Sequence, residues 1–246
     1  MNPVMRFIHN MGSAQYFYRF VGHFIPWLAI SSAALFAWGL YAGLVMAPPD
    51  YQQGDSYRIL FVHVHSAWMS LFIYVAMGIM AVISLIWRIK VTEVCLIVSA
   101  PIGAAFTAVT LATGALWGKP MWGAYWVWDA RLTSELVLLF LYVGVIALAG
   151  AIDDRRAAAR AASILTLVGL VNIPIIHYSV EWWNTLHQGQ TVRFVGESSI
   201  DSSMLTPLLV MALACKLYYG LLLIIGARAR LLEHDQRKKW VAELVQ

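Results

Sequence analysis

The sequence predicts an all-α polytopic membrane protein with six transmembrane helices and both termini in the cytoplasm. Three observations carry that reading. Of 246 residues, 61% are hydrophobic and 12% charged; mean hydropathy is +0.69; and six apolar runs each reach the length a bilayer crossing needs, about 20 residues. A soluble domain carries roughly 25% charged residues, so this chain has too few charges to coat a water-facing surface. Soluble enzyme, disordered chain and nucleic-acid binder are thereby excluded.

The runs form a single six-helix membrane domain over residues 1–246, with spans near 24–47, 59–87, 94–117, 132–152, 161–180 and 205–227. The residues before span one are not a secretory signal, because the apolar run is too long and no soluble domain follows. Pro48-Pro49-Asp50 ends span one. Span two exceeds the required length by about nine residues, which puts His63 and His65 at its outer interface. Arg88-Ile89-Lys90 separates it from span three, where Ala100, Gly103, Ala104, Thr107 and Gly114 suit close helix contact. A Trp-rich loop, 118–131, leads into span four, which Asp153-Asp154-Arg155-Arg156 terminates. Pro174 is expected to bend span five near its outer end and to free the carbonyl of residue 170. Span six contains Lys216.

Basic residues set the orientation. Arg6, Arg19, Arg88, Lys90, Arg155, Arg156, Arg160, Arg228, Arg230, Arg237, Lys238 and Lys239 fall on one side; Arg58, Lys119, Arg131 and Arg193 fall on the other. The positive-inside rule assigns the first set to the cytoplasm. The formal charge of +4 thus reflects topology. No Gly-rich phosphate loop is present, so the chain is not expected to hydrolyse ATP. Cys95 and Cys215 are far apart in apolar runs. They form no Cys-x-x-Cys-His motif, hence no covalent haem attachment site, and read as buried small hydrophobes.

The outer segments hold the chemistry. One carries Trp117, Trp122, Trp126, Trp128, Asp129 and Arg131; another carries Glu181, Trp182, Trp183, Asn184 and His187; Arg58, His63 and His65 sit at the outer end of span two. Aromatic planes, imidazoles and guanidinium groups together match a flat, apolar, iron-containing dianion, haem. Imidazole ligates iron, aromatic faces cover the macrocycle, and Arg pairs with propionates. Plainer readings compete. Trp is common at membrane interfaces. Asp129 can be the N-cap of span four, and Arg131 can pair with Glu135 at i, i+4. His9, His23 and His234 read as interface residues. His63, His65, His177 and His187 are the outer-side candidates, and His63 and His65 cannot share a helix face. If residues 183–187 are helical, Trp183 and His187 project the same way.

The stretch Trp122-Gly-Ala-Tyr-Trp-Val-Trp-Asp129-Ala-Arg-Leu-Thr-Ser-Glu135 resembles the WWD signature of haem-handling membrane proteins. With Tyr57-Arg-Ile-Leu-Phe-Val-His63 and His177-Tyr-Ser-Val-Glu-Trp-Trp-Asn-Thr-Leu-His187, the chain closely resembles the haem exporter protein C family (CcmC) of bacterial cytochrome c maturation. The resemblance implies a protein of the bacterial inner membrane. It would hold b-type haem non-covalently and transiently at the periplasmic face, and load it onto a membrane-anchored periplasmic haem chaperone (CcmE-like). A small single-span protein (CcmD-like) and ABC transporter subunits (CcmA-like and CcmB-like) complete the implied assembly. By motif position the axial ligands fall on His63 and His187, and the haem contacts on Trp122, Trp126, Trp128, Asp129, Arg58, Arg131 and Trp183. Lys119 and Arg193 are weaker propionate candidates. Two departures stand out: the family's His-Val-Pro is His63-Val64-His65 here, and Tyr125 stands where Trp is common. A haem-delivery protein, not an enzyme, is the first expectation. A b-type cytochrome subunit is the alternative, although such a subunit would place both ligands within facing spans. A small-solute transporter would need more ionisable groups at mid-membrane than Lys216.

Overall fold

The computed structural model describes residues 2–187 and 200–244. Among them, six helical segments are long and apolar enough to cross a membrane, which makes this a multi-pass membrane protein. Two short helices precede the spans, α1 (Pro3–Met11) and α2 (Ala14–Gly22). They were not anticipated from hydropathy because each is too short and too amphipathic to register as a span. Helix α3 (Ile25–Tyr41) runs into a π turn (Ala42–Met46), and a 3₁₀ turn (Asp55–Ile59) opens α4 (Leu60–Trp87). Helices α5 (Lys90–Trp122) and α6 (Ala130–Ala151) follow. The fifth span is broken into α7 (Arg155–Gly169) and α8 (Asn172–Trp182), and the chain ends with α9 (Ser202–His234) and α10 (Lys239–Ala242).

The boundaries have local causes. The side chains of Asp129, Asp154 and Asp201 cap α6, α7 and α9 by accepting the N–H of Leu132, Ala157 and Ser203. Arg88 (φ 52°) and Gly123 (φ 76°) end α4 and α5 in the left-handed region. The break before Pro174 is the consequence of its missing N–H. The Leu170 carbonyl instead accepts the N–H of Ile173 at 3.1 Å. Helix α5 extends to Trp122, so the first part of the expected 118–131 loop is helical and the connection shortens to residues 123–129.

Helix α3 packs along α9, while α4, α5, α6 and α7 form a four-helix group in which α4 and α6 each lie along α5 and α7. Its centre holds Met69, Ile73, Tyr74, Leu138 and Tyr142. Glycine makes room for both tyrosines. A Cβ at Gly103 would stand 2.2 Å from the Tyr142 ring, and one at Gly169 would stand 2.0 Å from the Tyr74 hydroxyl. Tyr74 and Tyr142 meet edge to face at 5.0 Å. Exposed large apolar residues such as Ile79, Phe140 and Val168 line the outside, as a lipid-facing surface requires.

Candidate functional site

Three segments converge at one end of the bundle: the start of α4, the end of α5 with the 123–129 connection, and the residues after α8. Helix α8 stops at Trp182, and Trp183 is extended (φ −133°, ψ 154°). The helical projection of Trp183 and His187 therefore does not occur. Trp183 stacks edge-on with Trp182 at 5.7 Å, and it is Trp122, from α5, that covers the His187 ring at 4.8 Å.

His187 is held from one side. Its Nδ1 lies 3.1 Å from Asp129 Oδ2, and its backbone N–H donates to Thr185 Oγ1 at 3.2 Å. Thr185 Oγ1 in turn donates to the same Asp129 oxygen. The other carboxylate oxygen accepts the Leu132 N–H at 2.8 Å. Asp129 is thus both the N-cap of α6 and the anchor of His187, and the two roles use different oxygens. Burial pushes the Asp129 carboxyl up, but the bonds from Thr185, Leu132 and His187 outweigh it and hold it below the usual carboxylate range. Burial pushes the His187 imidazole down; Asp129 opposes this and Arg131 adds to it. An ionised Asp129 facing a neutral imidazole fixes the proton on Nδ1 and leaves the Nε2 lone pair open.

His63 is held the same way. Its Nδ1 lies 3.0 Å from Thr113 Oγ1. The Thr113 hydroxyl proton is directed to the Val109 carbonyl at 2.6 Å, so its oxygen accepts and His63 carries the proton on Nδ1. The Thr110 carbonyl is a second acceptor for the ring, and with the proton on Nδ1 the lone pair falls on Nε2. Trp117 meets the His63 ring edge-on at 5.7 Å and is itself fixed by donating to Gln53 Oε1 at 3.0 Å. Gly114 leaves the imidazole its space, since a Cβ there would lie 3.0 Å from His63 Cε1. His187 and Arg131 are both within electrostatic reach of His63.

The remaining histidines differ. Both ring nitrogens of buried His65 face backbone carbonyls, Nδ1 that of Phe61 at 2.8 Å and Nε2 that of Leu208 at 2.6 Å. His177 is exposed on α8, edge-on to Tyr178 at 4.7 Å.

The cations also separate. Arg58 donates through Nε to Asp55 at 2.8 Å and through Nη1 to the Gly43 carbonyl at 3.2 Å. Lys119 donates to the Gly123 carbonyl at 3.0 Å. Arg193 lies outside the described residues. The Arg131 side chain makes no ion pair or hydrogen bond among the described residues; Asp129 is taken by His187 and Thr185, and Glu135 accepts from Ser70 Oγ at 2.7 Å. The expected Arg131–Glu135 pair is not formed. Trp126 and Trp128 meet edge to face at 5.3 Å. The Trp126 indole N–H is buried with no partner among the described residues, and Trp128 is 77% exposed.

A shallow, open depression of about 260 Å³ lies between Trp128, Asp129, Asn184, Thr185 and Leu186. Enclosed ligand pockets run from about 300 to 1,000 Å³, so a large planar ligand would lie against an open aromatic face. Sequence reasoning did not single out Thr113, Thr185 or Gln53. Thr185 stands two residues before His187 and Thr113 beside Gly114, but a threonine partner has no signature without the fold.

The family described as "Heme exporter protein C" matches residues 7–242. The chain is 52% identical to the heme exporter protein C of Escherichia coli strain K12, over 97% of this chain and 96% of that one. It is 45% identical to that of Haemophilus influenzae over 98% of each. A putative cytochrome c biosynthesis ccmC-like mitochondrial protein of Marchantia polymorpha is 45% identical over 83% of this chain and 87% of its own length. The match spans every helix that builds the convergence of His63, Asp129, Arg131 and His187, and the chain belongs to the heme exporter protein C family.

Proposed function

We propose that this chain holds haem at the periplasmic face of the bacterial inner membrane, between His63 and His187, and delivers it to a periplasmic haem chaperone. Membership of the family gives the coarser statement, a role in haem handling for cytochrome c maturation. The observation that carries the finer reading is the pair of imidazoles, each anchored through Nδ1, so that the ligating lone pair falls on Nε2. A second-sphere partner on the non-ligating nitrogen is what metal-binding histidines use to fix tautomer and ring orientation. Two imidazoles alone cannot complete an iron coordination shell, but they suit an iron that brings four macrocycle nitrogens. Among the described residues no group of three or more His, Cys, Asp or Glu is placed to hold a bare ion.

The residues divide the work. His63 and His187 supply the axial nitrogens. Trp122, Trp126 and Trp128 offer aromatic surface, and Trp183 extends it. Arg131, whose side chain makes no ion pair among the described residues, is the principal propionate partner, and Arg58 contributes a shared one. His187 stands in an extended segment beyond α8, whereas His63 is part of α4. The loop-borne ligand can leave first and open a coordination position to the chaperone's own histidine. Binding is therefore non-covalent and transient, and the role is delivery and not catalysis. The implied partners are the CcmE-like chaperone, a CcmD-like single-span protein and CcmA-like and CcmB-like transporter subunits.

Purified chain with bound haem, mixed with the apo-chaperone, tests this. Transfer of the haem spectrum to the chaperone supports delivery. Haem that stays with the chain through repeated exposure to the apo-chaperone would instead mark a resident b-type cytochrome.

A further inference from the structure

Beneath the site, α4 and α6 are tied by side chains alone. The two helices do not lie along one another; α5 and α7 stand between them on either side. Ser70 Oγ lies 2.7 Å from Glu135 Oε1 and 2.8 Å from the Ala67 carbonyl. The Tyr142 hydroxyl donates to the Ser70 carbonyl at 2.6 Å. Glu135 is 5% exposed and Ser70 fully buried.

The tie lies below the site on the same two helices. His63 and Ser70 are seven residues apart on α4, about 20° from eclipsed and roughly 10 Å along the axis. Arg131 and Glu135 are four apart on α6, on one face and about 6 Å along the axis. His63 and Arg131 thus both stand on the outer side of the Ser70–Glu135 bond, one on each helix. Ser70 has one hydroxyl proton and two acceptors. A carboxylic acid at 135 donating to Ser70, with Ser70 donating to Ala67, satisfies all three groups, and so does a carboxylate that accepts from Ser70 while Ala67 keeps its helical bond.

We propose that Glu135 is a positioning residue: through its hydrogen bond to Ser70 it sets the helix bearing His63 against the helix bearing Arg131 and Asp129, and so sets the geometry in which haem is held. A buried carboxyl inside a span is costly unless bonded. Its carboxyl is turned to a serine on the opposite helix and not to the arginine one turn above, which a charge-pairing role would have favoured.

The inference rests on the ligand reading given above, and the test separates the two. The full chain is purified as wild type, Glu135→Gln, Glu135→Met, Ser70→Ala, the Glu135→Met/Ser70→Ala double variant and His63→Gly, and haem absorption is recorded per mole of protein. Gln can accept from or donate to Ser70 and is expected to keep the wild-type spectrum. Met keeps length and apolar packing but loses the bond. It and Ser70→Ala are expected to shift the spectrum away from bis-imidazole ligation and to weaken haem retention by up to about tenfold each. The double variant should be no worse than either single one. The Ser70→Ala change is small enough to guard against misfolding. A wild-type spectrum in both Ser70→Ala and Glu135→Met, while His63→Gly shifts it, overturns the positioning role alone. A loss in Glu135→Gln equal to that in Glu135→Met would replace the hydrogen bond by a charge effect and overturn it too. No shift in His63→Gly sinks the ligand reading itself.

Discussion

Asp129 Oδ2 stands 3.1 Å from His187 Nδ1 while Asp129 Oδ1 accepts the N–H of Leu132, in the first turn of α6, at 2.8 Å. One carboxylate therefore joins the start of a membrane helix to the orientation of a candidate iron ligand 58 positions away. The two functions can be separated. Asn is as good an N-cap as Asp but cannot hold the imidazole with a charge. Asp129→Asn is expected to leave thermal stability near wild type and to weaken haem retention 10- to 100-fold, the usual cost of losing a partner behind a metal ligand. Asp129→Ala should lose a further ~1 kcal/mol of stability with the cap. Equal haem content in the wild type and Asp129→Asn would refute the anchoring role.

Glycine at each outer histidine, with imidazole added back, distinguishes ligands from bystanders. His63→Gly and His187→Gly are expected to lose or shift the haem spectrum and to regain it with imidazole. His177→Gly should leave it unchanged. His65→Gly should leave the ligation unchanged but cost stability, because the ring joins the Phe61 and Leu208 carbonyls of α4 and α9. Imidazole rescue at 65 and not at 63 would move the ligand.

Thr113→Val keeps shape and removes the acceptor for His63 Nδ1. With the tautomer no longer fixed, haem affinity should fall about tenfold and the absorption spectrum should broaden between two ring orientations. An unchanged titration would mean that Trp117 and Gly114 suffice to hold the ring.

The aromatic and basic residues should not behave alike. Among the described residues the buried Trp126 N–H has no partner, so Trp126→Phe should be neutral or stabilising, whereas Trp126→Ala should remove contact surface and weaken haem retention. Trp117→Phe loses its bond to Gln53 and should weaken haem retention. Arg131→Lys should reduce loading more than Arg58→Lys, because Arg58 already serves Asp55 and Gly43. Haem with esterified propionates should erase that difference. If it loads as well as free haem, neither arginine binds a propionate.

At the opposite end, buried Asp235 accepts from Lys90 at 2.6 Å, Lys238 at 3.1 Å and Trp240 Nε1 at 3.1 Å, which fastens α10 to the start of α5. Burial pushes its carboxyl up, but these three partners outweigh it and hold it below the usual range. A depressed carboxylate contributes stability that is present above its unfolded pKa, about 3.9, and lost as pH falls through the folded value. Asp235→Asn is therefore expected to lower thermal stability at pH 7 and to lose less on acidification than wild type. Parallel melting curves for the two proteins between pH 7 and pH 3 would contradict this.

The sequence by itself determined the class of protein, because hydropathy over about 20 residues is a local property that a bilayer reads directly. It also marked His63, Asp129, Arg131 and His187, because chemically demanding residues are conspicuous among apolar ones. Tertiary structure decided what each of them touches. That the Arg131 side chain makes no ion pair among the described residues depends on Glu135 turning to Ser70, 65 positions away. That Trp122 and not Trp183 covers His187 depends on α8 ending at Trp182 while α5 runs on to Trp122. That Thr113 and Asp129 hold the two imidazoles depends on three segments meeting at one end of the bundle. Spacing along one helix fixes which residues share a face, but a hydrogen bond between helices depends on their rotation and axial offset, and those are set by packing of the whole group around Tyr74 and Tyr142 against Gly103 and Gly169.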